Sequence, residues 1–272
     1  MQPAWSLCDV QRIGLIGDLN GDTHAAIRIS RQMKKRGVTC LVQVGNFGFL
    51  NSRLELANLR WLSEVLEGSD QTIVFVDGNH ENFDELIQFP VQRDGVRWVT
   101  PQIGHLPRGF RARVGANRTL AALGGANSVD AWRGYWEGES ITDRDLERLG
   151  PDQADILIGH DAPLSVPSLD RFLYATKYRW PSSGREYAES GRRMFHRGFL
   201  AVRPRLYIGG HHHYFIDERV TYASNNQAFE SRIVLLEDSS SFNSKNLAIL
   251  DTDSFDIEFL TDTEETPTQG RS

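Results

Sequence analysis

The chain has 272 residues, 40% of them hydrophobic and 24% charged, with a net charge of −6, so it can bury a sizeable core and is not a globally basic nucleic-acid binder. Its start, Met1-Gln2-Pro3-Ala4-Trp5, lacks a basic stretch followed by an apolar run, and no window approaches the ~18 apolar residues of a membrane span, so neither secretion nor membrane insertion is expected. Two cysteines, Cys8 and Cys40, do not make a disulfide framework; each lies in or beside an apolar segment and reads as a reduced, partly buried thiol, which points to a cytoplasmic location.

The first half alternates strand-like and helix-like patterns. Ile13-Gly14-Leu15-Ile16 is a short apolar run closed by Gly17, and residues 24–36 place Ala26, Ile29 and Met33 at helical spacings of three and four. A second strand, Cys40-Leu41-Val42-Gln43-Val44, is followed by a helix carrying Leu54, Trp61, Leu62, Val65 and Leu66, and then by the strand Thr72-Ile73-Val74-Phe75-Val76. Near-continuous apolar strands separated by amphipathic helices predict βαβ units and a sheet buried on both faces, with right-handed crossovers. After residue 95 the runs Arg97-Trp98-Val99, 110–114 and 119–123 are short and broken by Pro and Gly, the pattern of a second set of strands in meander order. A helix is expected over 142–149 with Thr142 as its cap, a strand at Asp155-Ile156-Leu157-Ile158, and a helix over 186–199 with Tyr187, Met194 and Phe195 on one side and arginines on the other. The strand Arg205-Leu206-Tyr207-Ile208 and further strands at 231–236, 247–250 and 255–260 complete the pattern. Residues 1–260 are expected to form a single domain, and the polar, initially acidic stretch 261–272 a disordered tail.

In an open α/β sheet, ligands bind beyond the carboxyl ends of the strands, so the residues after each apolar run bear comparison. They are Gly17-Asp18-Leu19-Asn20-Gly21-Asp22, Gly45-Asn46-Phe47-Gly48, Asp77-Gly78-Asn79-His80-Glu81, Gly159-His160-Asp161 and Gly209-Gly210-His211-His212-His213. Taken singly, each reads as an ordinary turn, because Gly-Asp and Gly-Asn pairs are common loop formers, and a His run on a loop is more often solvated than ligating. Together they place Asp, Asn or His at five successive strand ends, which chance explains poorly.

In order and spacing these blocks resemble the calcineurin-like metallophosphoesterase family, whose pattern runs Asp-x-His, Gly-Asp, Gly-Asn-His-Glu/Asp, a lone His, and Gly-His-x-His. The resemblance covers residues 13 to about 213, and its third, fourth and fifth blocks match outright. It implies an α/β fold: a four-layer αββα sandwich of two mixed β-sheets flanked by helices, with the strands after 213 completing the second sheet. It also implies a dinuclear site in which Asp18 and His213 hold one divalent ion while Asn79, His160 and His211 hold the other. The mixed N and O ligand set suits Mn, Fe, Zn or Ni, and two such ions ~3.5–4 Å apart would clamp a phosphate and activate water. His80 is implied as the general acid on the leaving alkoxide; the alternative is a turn histidine with no chemistry.

Two positions depart from the pattern. Asn20 stands where the family has a His ligand, and Asn46 where it has an Asp whose carboxylate bridges both metals. An amide oxygen remains a neutral donor at position 20. At position 46 the change removes a negative charge between two dications and puts an NH₂ in place of one acceptor, so occupancy by one ion or two stays open. Asp22, Asp77 and Asp161 lie beside ligand positions and read either as replacements or as caps and turn carboxylates. Trp132 and Trp136 offer stacking surfaces and Arg133 a phosphate partner, or else these side chains pack a loop. Lys177, Arg179, Arg185, Arg192, Arg193, Arg197, Arg203 and Arg205 make one region basic, either for a nucleotide or nucleic-acid phosphate or as a solvated helix face. The expected activity is metal-dependent hydrolysis of a phosphodiester or phosphomonoester; the alternative is a phosphoesterase-fold protein without catalysis that binds a phosphate-containing ligand or partner.

Overall fold

The computed structural model describes residues 7, 10–50, 53–133, 138–224, 227–240 and 244–261. Strand β1 (Arg12–Ile16) leads through helix α1 (Thr23–Lys35) to β2 (Cys40–Gln43), and α2 (Arg53–Gly68) leads to β3 (Thr72–Phe75). The single turn α3 (Phe83–Leu86) precedes two hairpins, β4 (Arg97–Thr100) with β5 (Ile103–His105), and β6 (Arg111–Val114) with β7 (Arg118–Leu123). Then follow α4 (Asp143–Leu149), β8 (Ile156–Gly159), α5 (Pro167–Thr176), α6 (Ser182–Val202) and β9 (Leu206–Gly209). The long hairpin β10 (Ile216–Ser224) and β11 (Gln227–Leu235) comes next, followed by β12 (Leu247–Asp251) and β13 (Ile257–Leu260). No helix among the described residues is long and apolar enough to cross a membrane.

The strands form a seven-stranded sheet, β13-β12-β1-β2-β3-β5-β4, and a six-stranded sheet, β10-β11-β9-β8-β7-β6. In each, a parallel centre carries antiparallel edges, so both sheets are mixed. Period-two alternation assigns each strand's two faces. Ile13, Leu15, Val42 and Val74 from one sheet meet Leu120, Ile156, Ile158 and Ile208 from the other in a dry interlayer. Ile16, Leu41, Ile73 and Phe75 point the other way, against Ile29, Met33, Leu62 and Leu66 of α1 and α2. On the far side Leu123, Leu157, Tyr207 and Leu235 pack against Leu169, Phe195 and Phe199 of α5 and α6. The result is helices, sheet, sheet, helices: the four layers that the resemblance implies.

Local chemistry starts the helices where expected. Asp22 caps α1 by accepting from Ala25 N at 2.9 Å, and Thr142 with Asp145 forms a capping box at the start of α4. Two expectations need correction. The runs after residue 95 do not form one meander, because β4 and β5 stay in the first sheet while β6 and β7 open the second. Nor do all later strands complete the second sheet: β10 and β11 do, but β12 returns to pair with β1, and β13 with β12. Alternation identifies a buried strand, whereas sheet membership depends on crossovers that leave no local pattern. Cys40 is free and buried, its thiol pushed up to about 12 by burial; Cys8 and the stretch 262–272 lie outside the described residues.

Candidate metal centre

The loops after β1, β2, β3, β8 and β9 meet where the carboxyl ends of the two sheets face each other. Close approach explains their glycines. A Cβ on Gly45, which has φ +106°, would lie 2.3 Å from His160 Nδ1, and one on Gly210 would lie 2.3 Å from Asp18 Oδ1. The side chains presented there sit on bent backbone: Asn20, Asn46, His211 and His213 all have φ between +47° and +66°. Left-handed non-glycine residues are uncommon and gather at functional loops.

One half of the centre is built from Asn79, His160 and His211. His160 Nδ1 lies 2.8 Å from the Val44 carbonyl, which can only accept, so the ring's proton is on Nδ1 and Nε2 carries a lone pair. Burial pushes this imidazole down to about 3, against the pull of Asp18, so it stays neutral. Its bare Nε2 nevertheless faces Asn79 Oδ1 at 3.0 Å. The amide is oriented from behind: Ser128 donates its hydroxyl to Glu139 and accepts from Asn79 Nδ2 at 2.8 Å, which turns Oδ1 toward the histidines. Glu139 is held in turn by Tyr187 of α6, whose hydroxyl donates to it at 2.8 Å. His211 Nδ1 approaches the same Oδ1 at 3.1 Å, and burial and then its neighbour His212 hold this ring at about 3 as well. Two acceptors 3.0 Å apart repel each other unless a cation lies between them, and this separation suits neighbouring ligands on one ion with bonds of about 2.0–2.1 Å. The donor set of this half fits a divalent transition ion.

The other half is organised differently. Asp18 is fully buried, and donors surround it: Asn46 Nδ2 at 3.1 Å and His213 Nε2 at 3.2 Å on Oδ2, and the His211 N–H at 3.3 Å on Oδ1. The His80 N–H donates to Asn46 Oδ1 at 3.0 Å, which fixes the amide so that its NH₂, not its oxygen, faces Asp18. His213 is half-exposed and raised by its hydrogen bond to Asp18, and its other nitrogen lies 3.6 Å from Asp238. Asn20 is exposed; its backbone N–H donates to the Asn46 carbonyl at 2.8 Å, and no hydrogen bond joins its side chain to the cluster among the described residues. This half is already hydrogen-bonded, and an amide donor stands where a bridging ligand would be needed. It does not fit an ion bridged to the first.

The neighbouring carboxylates divide by task. Asp22 caps α1. Burial raises Asp77, but the Arg108 guanidinium at 2.7 Å and the His105 hydrogen bond at 3.0 Å together hold it well below the usual carboxylate range, as a clamp. Asp161 is buried, and its Oδ1 lies 3.4 Å from His212 Nε2; with His211 these side chains could gather a cation. Glu81 accepts from the Phe47 and Gly48 N–H groups at 2.6 and 3.1 Å and so shapes the Asn46 loop, while burial raises its carboxyl to about 7. Ser128, Glu139 and Asp238 were not anticipated from sequence. Asp238 lies two residues beyond the strand run that ends at 236, so the strand-end rule would have reached it; nothing local marks the other two.

His80 is partly buried and faces a cavity of about 930 Å³ that runs from Asn46, Asn79 and His211–His213 to α5 and α6. Burial pushes its ring below its ordinary value, opposed by Asp130, Asp18 and Glu139. The basic region divides. Lys177, Arg179, Arg185, Arg192 and Arg193 line the cavity, so for them a purely solvated face is not the description. Arg192 is buried and donates to the Pro163 carbonyl at 2.9 Å, whereas Arg197 and Arg205 pair with Asp143 and Asp155 at 2.8 and 3.9 Å, and Arg203 caps α6 in left-handed conformation. Trp132 touches α6 at Gly184 yet stays 56% exposed, and Arg133 pairs with Asp130 at 3.4 Å; Trp136 lies outside the described residues.

A family model described as calcineurin-like phosphoesterase matches residues 11–215. Among solved structures, that of TT1561 from Thermus thermophilus superposes with a TM-score of 0.54 at 13% identity, covering 93% of this chain and 100% of that one. A dimetal phosphatase from Danio rerio gives 0.47 at 14% identity, covering 94% and 98%. At 13% identity the likeness to TT1561 is one of fold. None of the curated proteins matches the chain.

Proposed function

The chain belongs to the calcineurin-like phosphoesterase family, and from that premise we propose that it hydrolyses a phosphate ester at a centre holding one divalent transition ion, Mn, Fe, Zn or Ni, on Asn79, His160 and His211. The observation that carries this reading is the pair of acceptors, His160 Nε2 and Asn79 Oδ1, held face to face at 3.0 Å by Val44 behind one and Ser128 behind the other. When bound, the ion supplies Lewis acidity toward a phosphoryl oxygen and makes water a better nucleophile.

The chain's own residues supply the rest. His80 lines the cavity with its backbone tied to Asn46, which supports assigning its ring the place beside the substrate phosphate. Lowered by burial, it is mostly neutral in the free protein; an arriving phosphate adds negative charge beside it, raises its proton affinity and lets it donate to the leaving oxygen. Buried and free, Cys40 suits a reducing cytoplasm.

One observation favours a second reading, phosphate binding without turnover: the Asn46 NH₂ donates to Asp18 where catalysis by two bridged ions would need a carboxylate. Metal content by mass spectrometry, with hydrolysis of bis(p-nitrophenyl) phosphate and p-nitrophenyl phosphate in excess Mn²⁺, separates the two. The enzyme reading expects close to one ion per chain and a loss of about 100-fold or more in His80→Gln. Bound metal with no hydrolysis that depends on His80 would leave the binding reading.

A further inference from the structure

We propose that the wall formed by α5, the turn Lys177–Arg179 and α6 binds single-stranded nucleic acid, making an oligonucleotide phosphodiester the ligand of this centre; as a statement about substrate, this rests on the phosphoesterase reading.

The charge of the wall runs against that of the molecule. The chain is acidic by six charges, yet the cavity is lined by five lysine and arginine side chains against three carboxylates. Arg192 donates to the Pro163 carbonyl and lies 3.4 Å from Asp170 and 3.7 Å from Glu189, and Arg193 lies 3.7 Å from Glu189 as well. That leaves Lys177, Arg179 and Arg185 with no carboxylate within 4.0 Å among the described residues, opposite ligands that fit a further cation. A small phosphomonoester would be neutralised by the ion alone. Unpaired cations along a second wall suit a ligand with additional phosphates, and backbone phosphates are the commonest regular series of them.

The same wall carries aromatic rings. Tyr174 is 70% exposed, Tyr178 87% and Trp180 37%, and the Lys177 ammonium lies 3.7 Å from the Tyr174 ring centroid and 5.0 Å from that of Tyr178. Exposed rings interleaved with cations are what sequence-tolerant single-strand binding uses: bases stack while the backbone tracks the charge. Their openness decides between one nucleotide and a strand. A site for a free nucleotide encloses the base, and a volume of 930 Å³ is already near the upper end of the roughly 300–1,000 Å³ of small-ligand clefts. Here Tyr174 and Trp180 line the cavity, and Tyr178, 87% exposed and beside Lys177 like Tyr174, adds a further ring for a ligand longer than one nucleotide.

Fluorescence anisotropy with a labelled single-stranded oligonucleotide of about a dozen nucleotides tests this, within the usual range of site sizes. Three phosphate contacts predict a slope of log affinity against log salt of about −2. Arg179→Ala/Arg185→Ala should weaken binding roughly tenfold at low salt and bring the slope to about −0.7. Tyr174→Ala should weaken it by a similar factor without changing the slope. Arg36→Ala, in an ion pair with Glu258 outside the cavity, should change neither. Binding independent of salt, binding unaltered in the Arg179/Arg185 variant, or equally strong competition by a nucleoside monophosphate would overturn the proposal. Preference for an acidic peptide or an anionic vesicle over the oligonucleotide would overturn it too. Hydrolysis of the aryl phosphodiester is measured in parallel. Oligonucleotide binding without any such hydrolysis would sink the phosphoesterase reading and keep the binding surface, and hydrolysis without binding would do the reverse.

Discussion

The two halves of the metal centre are both made from loops at the ends of buried strands, and they differ in what those loops aim inward. Around Asn79, His160 and His211 the inward atoms are acceptors: a ring nitrogen left without a proton because a backbone carbonyl holds the ring's hydrogen on the other nitrogen, and an amide oxygen turned by a serine. Around Asp18 the inward atoms are an acceptor already surrounded by donors, from Asn46, His213 and the His211 N–H. Buried acceptors facing each other cost free energy that a cation returns, whereas a buried carboxylate with its hydrogen bonds made gives up those bonds to take one. A metal-binding loop is therefore defined less by which residues it carries than by which of their atoms the surroundings leave unsatisfied.

The largest expected effect breaks the comparison at its strong half. His160→Ala should lower metal affinity by more than the ~10–100-fold that outer-shell partners cost, while His213→Ala should leave stoichiometry near one ion per chain. Titration calorimetry with Mn²⁺ or Zn²⁺ on both variants reads this directly. Equal losses in the two would mean that the halves act as one dinuclear site, and the distinction drawn between them would be wrong.

Much of this was legible in the sequence because ligand-bearing residues sit immediately after apolar runs, and an apolar run is a local signal. The strand ends at 18, 46, 79, 160 and 211 were found that way, and the asparagines at 20 and 46 stood out against a family pattern. What each amide does was not legible. Asn46 and Asn79 are the same residue at two strand ends, yet one shows its NH₂ to the centre and the other its oxygen, because the His80 N–H bonds to the first and Ser128 to the second. Ser128 lies 49 residues from Asn79, and nothing near it announces a partner. Helix α5 escaped for a different reason: Leu169, Phe172 and Leu173 keep helical spacing, but the prolines at 163 and 167 mask the start. Strand β5, three residues with a central glycine, is too short for periodicity to speak.

A smaller but more instructive change converts the weak half toward the strong. Asn46→Asp keeps the shape and replaces the NH₂ 3.1 Å from Asp18 by a second carboxylate oxygen. Without metal, two buried carboxylates then face each other, and stability in chelator should fall by about 1–3 kcal/mol. With Mn²⁺ the same pair becomes a ligand set: the gap between melting temperatures with and without metal should widen, bound metal should rise from one ion toward two, and hydrolysis should increase by roughly 10–100-fold. A variant that is destabilised yet takes up no further metal would show that the Asp18 half is closed by more than one amide.

The smallest effect concerns Asn20, where ligand and backbone roles can be separated. Its φ of +49° is a conformation that asparagine tolerates and alanine does not, so Asn20→Ala should cost about 1 kcal/mol and lower the melting temperature by roughly 2–4 °C. Asn20→Gly removes the same amide but accepts that φ freely, so it should recover most of the loss. If the side chain stays outside the centre, as its exposure and its lack of side-chain hydrogen bonds to the cluster among the described residues indicate, both variants bind metal as the parent does. If the amide is a ligand in the family's sense, both lose affinity equally while only one loses stability. Metal affinity and melting temperature measured on the same two variants thus tell a residue that holds the loop from one that holds the ion.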